Sequence, residues 1–171
     1  ANTDLFSASN ARDGARVFNN STLMTDGTMP VVNNLQNGVL MGGDSLLKAT
    51  GQANIAGNAA DGIYAVGSSI EFFHPSTTVG NNLSNGIVLV SSKYNGKLET
   101  VGNANNGLWA LGGSNVYAPG AASVSNGNGG TGIIATDNSM VNIQGGGAVS
   151  NGVNYGSPVN VQNSTAGIIL V

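Results

Sequence analysis

The stretch Gly62-Ile-Tyr-Ala-Val-Gly-Ser-Ser-Ile70 contains both elements that decide the fold. A glycine is followed by four mostly apolar residues, and a serine then begins a short alternating segment. The glycine element recurs along the chain at intervals of 15 to 25 residues. Its copies begin at Gly14, Gly38, Gly62, Gly86, Gly107, Gly132 and Gly167, with a weaker copy at Gly152. Repeats of this length indicate a solenoid or another stacked array.

The serine element alternates apolar and other residues, which predicts a strand with one buried face. Its copies span 21–25, 45–49, 68–72, 114–118, 139–143 and 157–161, and 96–100 is a variant in which glycine replaces the serine. A third short apolar stretch, as at Val31 or Ile55, precedes each glycine. Asn-Gly or Asp-Gly pairs such as Asn37-Gly38 lie between these stretches. Because Asn and Asp tolerate positive φ, we expect positive φ at these corners.

Three short strands in each repeat predict an all-β fold, a single-stranded parallel β-helix (solenoid). It would have about eight coils of 15–25 residues, and residues 1–171 would form a single domain. Coils stacked at the strand spacing of about 4.8 Å would make a rod roughly 40 Å long. No segment has helical periodicity with capping residues.

The composition excludes several classes of partner. Only 8% of the 171 residues are charged, the net charge is −3, and the chain has 27 Gly, 25 Asn and no Cys. Five Lys and Arg residues are too few for a face that binds nucleic acid. The longest apolar runs, of about five residues, are too short to span a bilayer, so we expect no membrane insertion. Without cysteine there is no disulfide framework or thiolate metal site, and we expect no cofactor.

Stacking places equivalent residues of successive coils above one another. After each glycine, positions one and three, such as Ile63 and Ala65, should face the core, and positions two and four should face outward. Positions two and four are nevertheless apolar too, and a long exposed apolar patch usually marks an interface. The alternative is that a loop or the N-terminal segment covers part of this row. The predicted assembly interface is the position-two row of Leu40, Tyr64, Val88, Trp109, Ile134 and Ile169.

The ends of the chain lead to a second expectation about assembly. The glycine repeat starts near Gly14, and the last four residues form an apolar strand without a polar cap. Either the chain is a piece of a longer solenoid, or its uncapped ends, which present unpaired backbone groups, pair with neighbouring copies. The predicted coil-end contacts are Leu5, Phe6, Ile168, Leu170 and Val171.

The unit Gly132-Ile-Ile-Ala-Thr-Asp-Asn-Ser-Met-Val-Asn-Ile143 resembles the coils of right-handed, pectin-lyase-like β-helices. It is most similar to the passenger domains of pertactin-type bacterial autotransporters and to phage tail-fibre solenoids. The resemblance covers nearly the whole chain, and it implies a right-handed coil. Adhesins, tailspikes and lyases share the pattern, so the resemblance implies fold more than function.

Enzymes of this fold that act on glycans need clustered carboxylates, and one pair in this chain could supply them. Glu71 and Glu99 would occupy the same outward position on adjacent coils, about 5 Å apart, as in a retaining glycosidase. The alternative is a solvated charge row with Lys48 and Lys97. His74, the single histidine, is expected in a surface corner loop and cannot form a zinc site without other ligands.

The leading functional hypothesis is an extracellular or cell-surface structural and adhesive solenoid without catalysis. Its partner would be itself, as a filament subunit or an adhesin rod, and surface glycans are a further possible partner. The first alternative is a phage tail-fibre or tailspike segment that binds glycans, in which Tyr64 and Trp109 could stack on sugar rings. The second is a small glycan-active enzyme that uses Glu71 and Glu99.

Overall fold

The computed structural model describes residues 4–119, 124–143, 148–149, 153–155 and 160–163. Within these ranges the regular secondary structure consists of β-strands alone, and the strands form three parallel sheets of seven strands each. Consecutive strands of the chain belong to different sheets, and every third strand returns to the same sheet one coil further along. This is the predicted parallel β-solenoid with three strands in each coil.

The strands are numbered in chain order. Sheet A contains β1 (Ser7–Ala8), β4 (Met29–Val32), β7 (Ala53–Ala56), β10 (Thr78–Gly80), β13 (Glu99–Val101), β16 (Val124–Asn126) and β19 (Ala148–Val149). Sheet B contains β2 (Ala15–Val17), β5 (Val39–Gly42), β8 (Ile63–Val66), β11 (Ile87–Val90), β14 (Leu108–Leu111), β17 (Ile133–Ala135) and β20 (Val153–Tyr155). Sheet C contains β3 (Thr22–Thr25), β6 (Leu46–Ala49), β9 (Ser69–Phe72), β12 (Lys93–Gly96), β15 (Asn115–Ala118), β18 (Met140–Ile143) and β21 (Asn160–Asn163).

Each coil is numbered by the glycine that precedes its strand in sheet B. Coils 1 to 6 therefore begin at Gly14, Gly38, Gly62, Gly86, Gly107 and Gly132. The prediction was about eight coils, and the described residues give seven strands in each sheet. The glycines of the last two predicted coils, Gly152 and Gly167, lie outside the described residues. That residues 1–171 form one domain remains a prediction.

The core lies inside the three sheets and contains one layer of side chains from each coil. In strands β2, β5, β8, β11, β14 and β17 of sheet B, positions one and three face inward, as predicted, and Ile63 and Ala65 are fully buried. Leu47 from sheet C and Ile55 from sheet A meet them in the same cluster. Side chains of equivalent residues stack along the rod because parallel pairing is in register, as between Ile63 and Ile87.

A continuous row of asparagines follows sheet A from Asn10 to Asn128, and all of its members except Asn10 are buried. Asn58 donates from its backbone N–H (3.1 Å) and its Nδ2 (2.9 Å) to Oδ1 of Asn82 in the next coil. A second Nδ2 bond of Asn58 reaches the Val31 carbonyl at 3.3 Å. The same double bond joins each successive pair of the row Asn10, Asn34, Asn58, Asn82, Asn103 and Asn128. Every hydrogen-bonding site on the buried Asn58 amide is therefore used.

The repeated glycine is needed because this asparagine row packs against it. A Cβ built on Gly62 would lie 2.6 Å from Nδ2 of Asn82, 2.4 Å from Cγ1 of Val79 and 2.6 Å from the Gly86 carbonyl oxygen. Gly38 and Gly86 have the same surroundings in their coils. The motif of each corner is thus Asn-x-x-(Asp, Asn or Thr)-Gly, in which the glycine provides space rather than an unusual φ.

The predicted location of positive φ is wrong. Asn37, Asp61, Asn85 and Asn106 are not among the residues with positive φ. Their side chains instead form a second polar row, in which the backbone N–H of each residue donates to the residue one coil earlier, as from Asn85 to Oδ1 of Asp61 at 2.9 Å. Positive φ occurs at the end of sheet A and between sheets B and C, at Asn33, Gly57, Asn81, Gly102, Asp44, Gly67 and Ser91 among others.

Coil 4 corrects one predicted strand. The strand in sheet C is Lys93–Gly96, preceded by Ser92, and not the segment 96–100. Tyr94 takes the inward position and packs edge-on against Phe72, with ring centroids 6.1 Å apart. Burial raises the pKa of the Tyr94 hydroxyl, which donates to the Lys97 carbonyl. The chain turns at Gly96, whose φ is +129°. Only glycine fits there, because a Cβ would overlap the Phe72 backbone.

Asn58→Ala should lower the free energy of unfolding by on the order of 3 kcal/mol, because it removes the acceptor of the buried backbone and side-chain N–H groups of Asn34. Asn54→Ala is the matched control, since Asn54 lies on the same coil but is exposed. Chemical denaturation measures both. Equal effects of the two substitutions would contradict the role of the asparagine row.

Gly62→Ala should destabilise the protein by about 1–3 kcal/mol, because the added methyl overlaps buried atoms that cannot move freely. Gly67→Asn is the control, since no atom lies within 4 Å of its Cβ position and Asn tolerates its φ of +55°. The midpoint of thermal unfolding should fall for the first variant and stay near the wild-type value for the second.

Candidate assembly interface

The predicted outward row is a continuous feature of sheet B. Backbone register places Leu40 beside Tyr64, Tyr64 beside Val88, Val88 beside Trp109, and Trp109 beside Ile134. With strands about 4.8 Å apart, the row is roughly 19 Å long. Ile169, its predicted last member, lies outside the described residues. The residue that follows Ile134 in the register is Asn154.

The side chains of the row cover one another to different degrees. Val88 faces outward yet is only 3% exposed, since it lies between the larger Tyr64 and Trp109. Trp109 is 36% exposed, and Leu40 and Tyr64 are half-buried. Solvent therefore hardly reaches Val88, because the aromatic side chains of Tyr64 and Trp109 cover it on both sides.

A second outward row runs beside the first at position four of each strand. It consists of Gly42, Val66, Val90 and Leu111, and Thr136 follows in coil 6. Val66 is 41% exposed. No outward residue of strands β5, β8, β11, β14 and β17 carries a charge. This two-row surface, from Leu40 to Thr136, is called the apolar face below.

Charge is present at the edge of the apolar face, in coil 1. Arg16 pairs in register with Leu40, and its Nε lies 3.2 Å from Oδ2 of the buried Asp13. Its guanidinium also lies over the Phe18 ring, 5.7 Å from the centroid. About half of the Arg16 side chain remains accessible.

The outer face of sheet C is polar by comparison. Lys48 forms an ion pair with Glu71 at 3.0 Å and lies 5.6 Å from the centroid of Phe73. Lys93 and Tyr117 are exposed on the same face. The outer face of sheet C is therefore mostly polar, whereas sheet B is apolar on both faces.

The predicted carboxylate pair is wrong. Glu71 lies in sheet C, where its neighbour in the next coil is Asn95, and Glu99 lies in sheet A opposite Val124. The two acids belong to different sheets because Tyr94, not Leu98, continues the inward row of sheet C. Each carboxylate is paired with its own lysine, Glu71 with Lys48 and Glu99 with Lys97.

The remaining predicted residues are only partly placed. Leu5 packs against the core, whereas Phe6 is 75% exposed. The other predicted coil-end contacts, Ile168, Leu170 and Val171, lie outside the described residues. His74 lies in the loop between β9 and β10, where its Nδ1 accepts the Ser76 backbone N–H at 3.1 Å.

Among residues 4–119 and the later described segments, no three His, Cys, Asp or Glu side chains are grouped to hold a metal ion. The same ranges contain no helix that is long and apolar enough to cross a membrane.

Comparison of the chain with family models, with curated proteins and with solved structures finds no match. The class of the protein, a parallel β-solenoid with three strands per coil, therefore rests on its own strand order and register.

Glu71→Gln and Glu99→Gln should each change the free energy of unfolding by less than about 1 kcal/mol, because both ion pairs are partly exposed and screened by solvent. Denaturation at low and high salt measures the effect. A loss of several kcal/mol in either variant would show that the pairs matter more to the fold than their exposure indicates.

Proposed function

We propose that this chain is a structural and adhesive β-solenoid, displayed outside the cell or on its surface, whose copies associate laterally through the apolar face. The observation that carries the proposal is the in-register row of Leu40, Tyr64, Val88, Trp109 and Ile134 on a surface without charge. We propose no catalytic role. We also propose a right-handed coil, because parallel crossover connections are almost always right-handed.

The interior suits a rod that must keep its shape. Successive coils are connected by the apolar core, by the asparagine row and by the second polar row. These side-chain contacts add to the backbone hydrogen bonds between the coils. Ser92 and Ser114 form a further link, from the Ser92 N–H to Oγ of Ser114 at 3.0 Å. A solenoid whose coils contact only their neighbours gains stability from such nearest-neighbour terms.

The small size of the apolar face supports weak self-association rather than a tight pair. Four residues of strand at about 3.3 Å each and five strands at about 4.8 Å give roughly 300 Å² per copy. A stable protein–protein interface buries about 800 Å² on each partner. Lateral association through this face therefore gains strength when one rod contacts its neighbour over many coils.

One observation favours a second candidate function. Tyr64 and Trp109 project from the same row two coils apart, about 10 Å, and both are accessible at least in part. Flat sugar rings present C–H groups that pack on such aromatic faces. Under this reading the chain is a segment of a fibre or tailspike that binds a surface glycan.

Trp109→Lys should weaken self-association about tenfold or more, since an unpaired charge in a desolvated contact costs several kcal/mol. Tyr117→Lys is the matched control, because Tyr117 is 39% exposed and lies on sheet C rather than on the apolar face. Sedimentation velocity and negative-stain electron microscopy across a concentration series report the assembly state.

Discrete monomers of the wild-type protein at every concentration would overturn the proposal of self-association. The apolar face would then be tested with the glycan panel that the second candidate requires. Equal self-association of the Trp109 and Tyr117 variants would show that the contact between copies does not lie on sheet B.

A further inference from the structure

A shallow polar groove borders the apolar face at the corner between sheets B and C. Its volume is about 270 Å³, and its floor is the segment Gly67-Ser68-Ser69 of coil 3. Asp44 of coil 2 lines one side, and Ser91 and Lys93 of coil 4 line the other. The groove exists because coil 3 has only small residues at this corner, and no atom lies within 4 Å of where a Gly67 Cβ would be.

The two charges beside this groove are unpaired within the described part of the chain. Asp44 is the only described carboxylate whose side chain has neither an ion pair nor a hydrogen bond. Lys93 has none either, whereas Lys48 and Lys97 pair with glutamates. Asp44 and Lys93 lie two coils apart, about 10 Å, and they form no ion pair with each other.

Both charges lie close to the rim of the apolar face, Asp44 at the corner after β5 and Lys93 at the start of β12, on the outer face of sheet C. Asp44 follows β5 by two residues, and Ser91, which lines the groove beside Lys93, directly follows β11. A polar and charged rim around an apolar centre is the usual anatomy of a protein–protein interface. The rim of this face is self-complementary, with a negative charge one coil before Tyr64 and a positive charge one coil after it.

We propose that the occupant of this face is a second copy of the chain, packed antiparallel about a two-fold axis that runs along the strands at the level of Tyr64. This rests on the self-association proposed above and fixes its register. The rotation exchanges coils 2 and 4, so each Asp44 faces the second copy's Lys93, and the contact occurs twice. Interfaces with two-fold symmetry are self-complementary in this way.

The same rotation gives matching contacts along the position-two row. Tyr64 faces its own copy at the axis, and Leu40 faces the second copy's Val88, which keeps the centre apolar. Arg16 faces the second copy's Trp109, an arrangement in which a guanidinium packs on an indole ring. The half-accessible guanidinium of Arg16 is therefore placed opposite an exposed aromatic side chain.

Other registers do not satisfy both rim charges. An antiparallel pair centred one coil further along, on Val88, places Asp44 opposite the second copy's Asp137 in coil 6, which is repulsive. A parallel pair places each coil at the level of the same coil in the second copy, and so keeps Asp44 two coils away from Lys93. Only the register centred on Tyr64 pairs both charges.

Charge reversal tests the register. Asp44→Lys and Lys93→Asp should each weaken self-association about tenfold or more, because each places like charges opposite one another at two points. An equimolar mixture of the two variants should recover association, since each then supplies the charge that the other needs. Asp137→Lys and Arg12→Asp are the controls; Asp137 has a positive φ similar to that of Asp44, and both controls should leave association within twofold of wild type. Sedimentation equilibrium measures all of them.

Cross-linking keeps the register testable if a charge variant fails to fold. The chain has no cysteine, so Tyr64→Cys places one thiol on the proposed axis and should give a covalent dimer with a short bismaleimide. Ile134→Cys, three coils away, should not. Association of the wild type that is insensitive to both reversals, or a dimer of the Ile134 variant alone, overturns the register but leaves self-association standing. Absence of any association overturns both.

Discussion

The close approach of an asparagine amide to a glycine Cα, at one corner of each coil, is the constraint on which the rest of the solenoid depends. The amide of Asn82 occupies the space that a side chain on Gly62 would need, and it donates to the next asparagine of the row. This contact sets the distance between coils at the corner where sheet A ends and sheet B begins. The same contact recurs at Gly14, Gly38 and Gly86, so it favours the same register at each of these corners.

The two polar rows at this corner run in opposite senses. In the asparagine row each amide donates to the following coil, whereas in the row of Asp13, Asn37 and Asp61 each residue donates to the preceding one. Their dipoles therefore oppose each other along the rod. A buried polar row is stabilising only when every group has a partner. Because the two rows donate in opposite directions, each coil has donors that bond to the following coil and donors that bond to the preceding coil.

The sequence predicted the fold and the outward row because both depend on the repeat length and on the alternation of apolar residues, which can be seen from the order of residue types alone. It did not predict the asparagine row, although the signal was present as an Asn four residues before every repeated glycine except Gly152. Turn chemistry was assigned instead to the Asn or Asp directly before the glycine, and it placed positive φ at the wrong corners. The error at Glu99 has a different cause: a coil shortened to 21 residues offers two alternating segments, and only packing of Tyr94 against Phe72 selects one. The charges of Asp44 and Lys93 were not predicted to be important, because neither belongs to a row of charged residues that repeats from coil to coil.

The equal length of coils 2 and 3, 24 residues each, makes the rod modular. Each of these coils carries one copy of every row, and each row bonds only to the copies directly before and after it. A whole coil could thus be duplicated or removed between two corner glycines without leaving a donor, an acceptor or a core side chain unmatched. Gene duplication can therefore adjust the reach of such a rod in steps of a single strand spacing, while the interior keeps the same design.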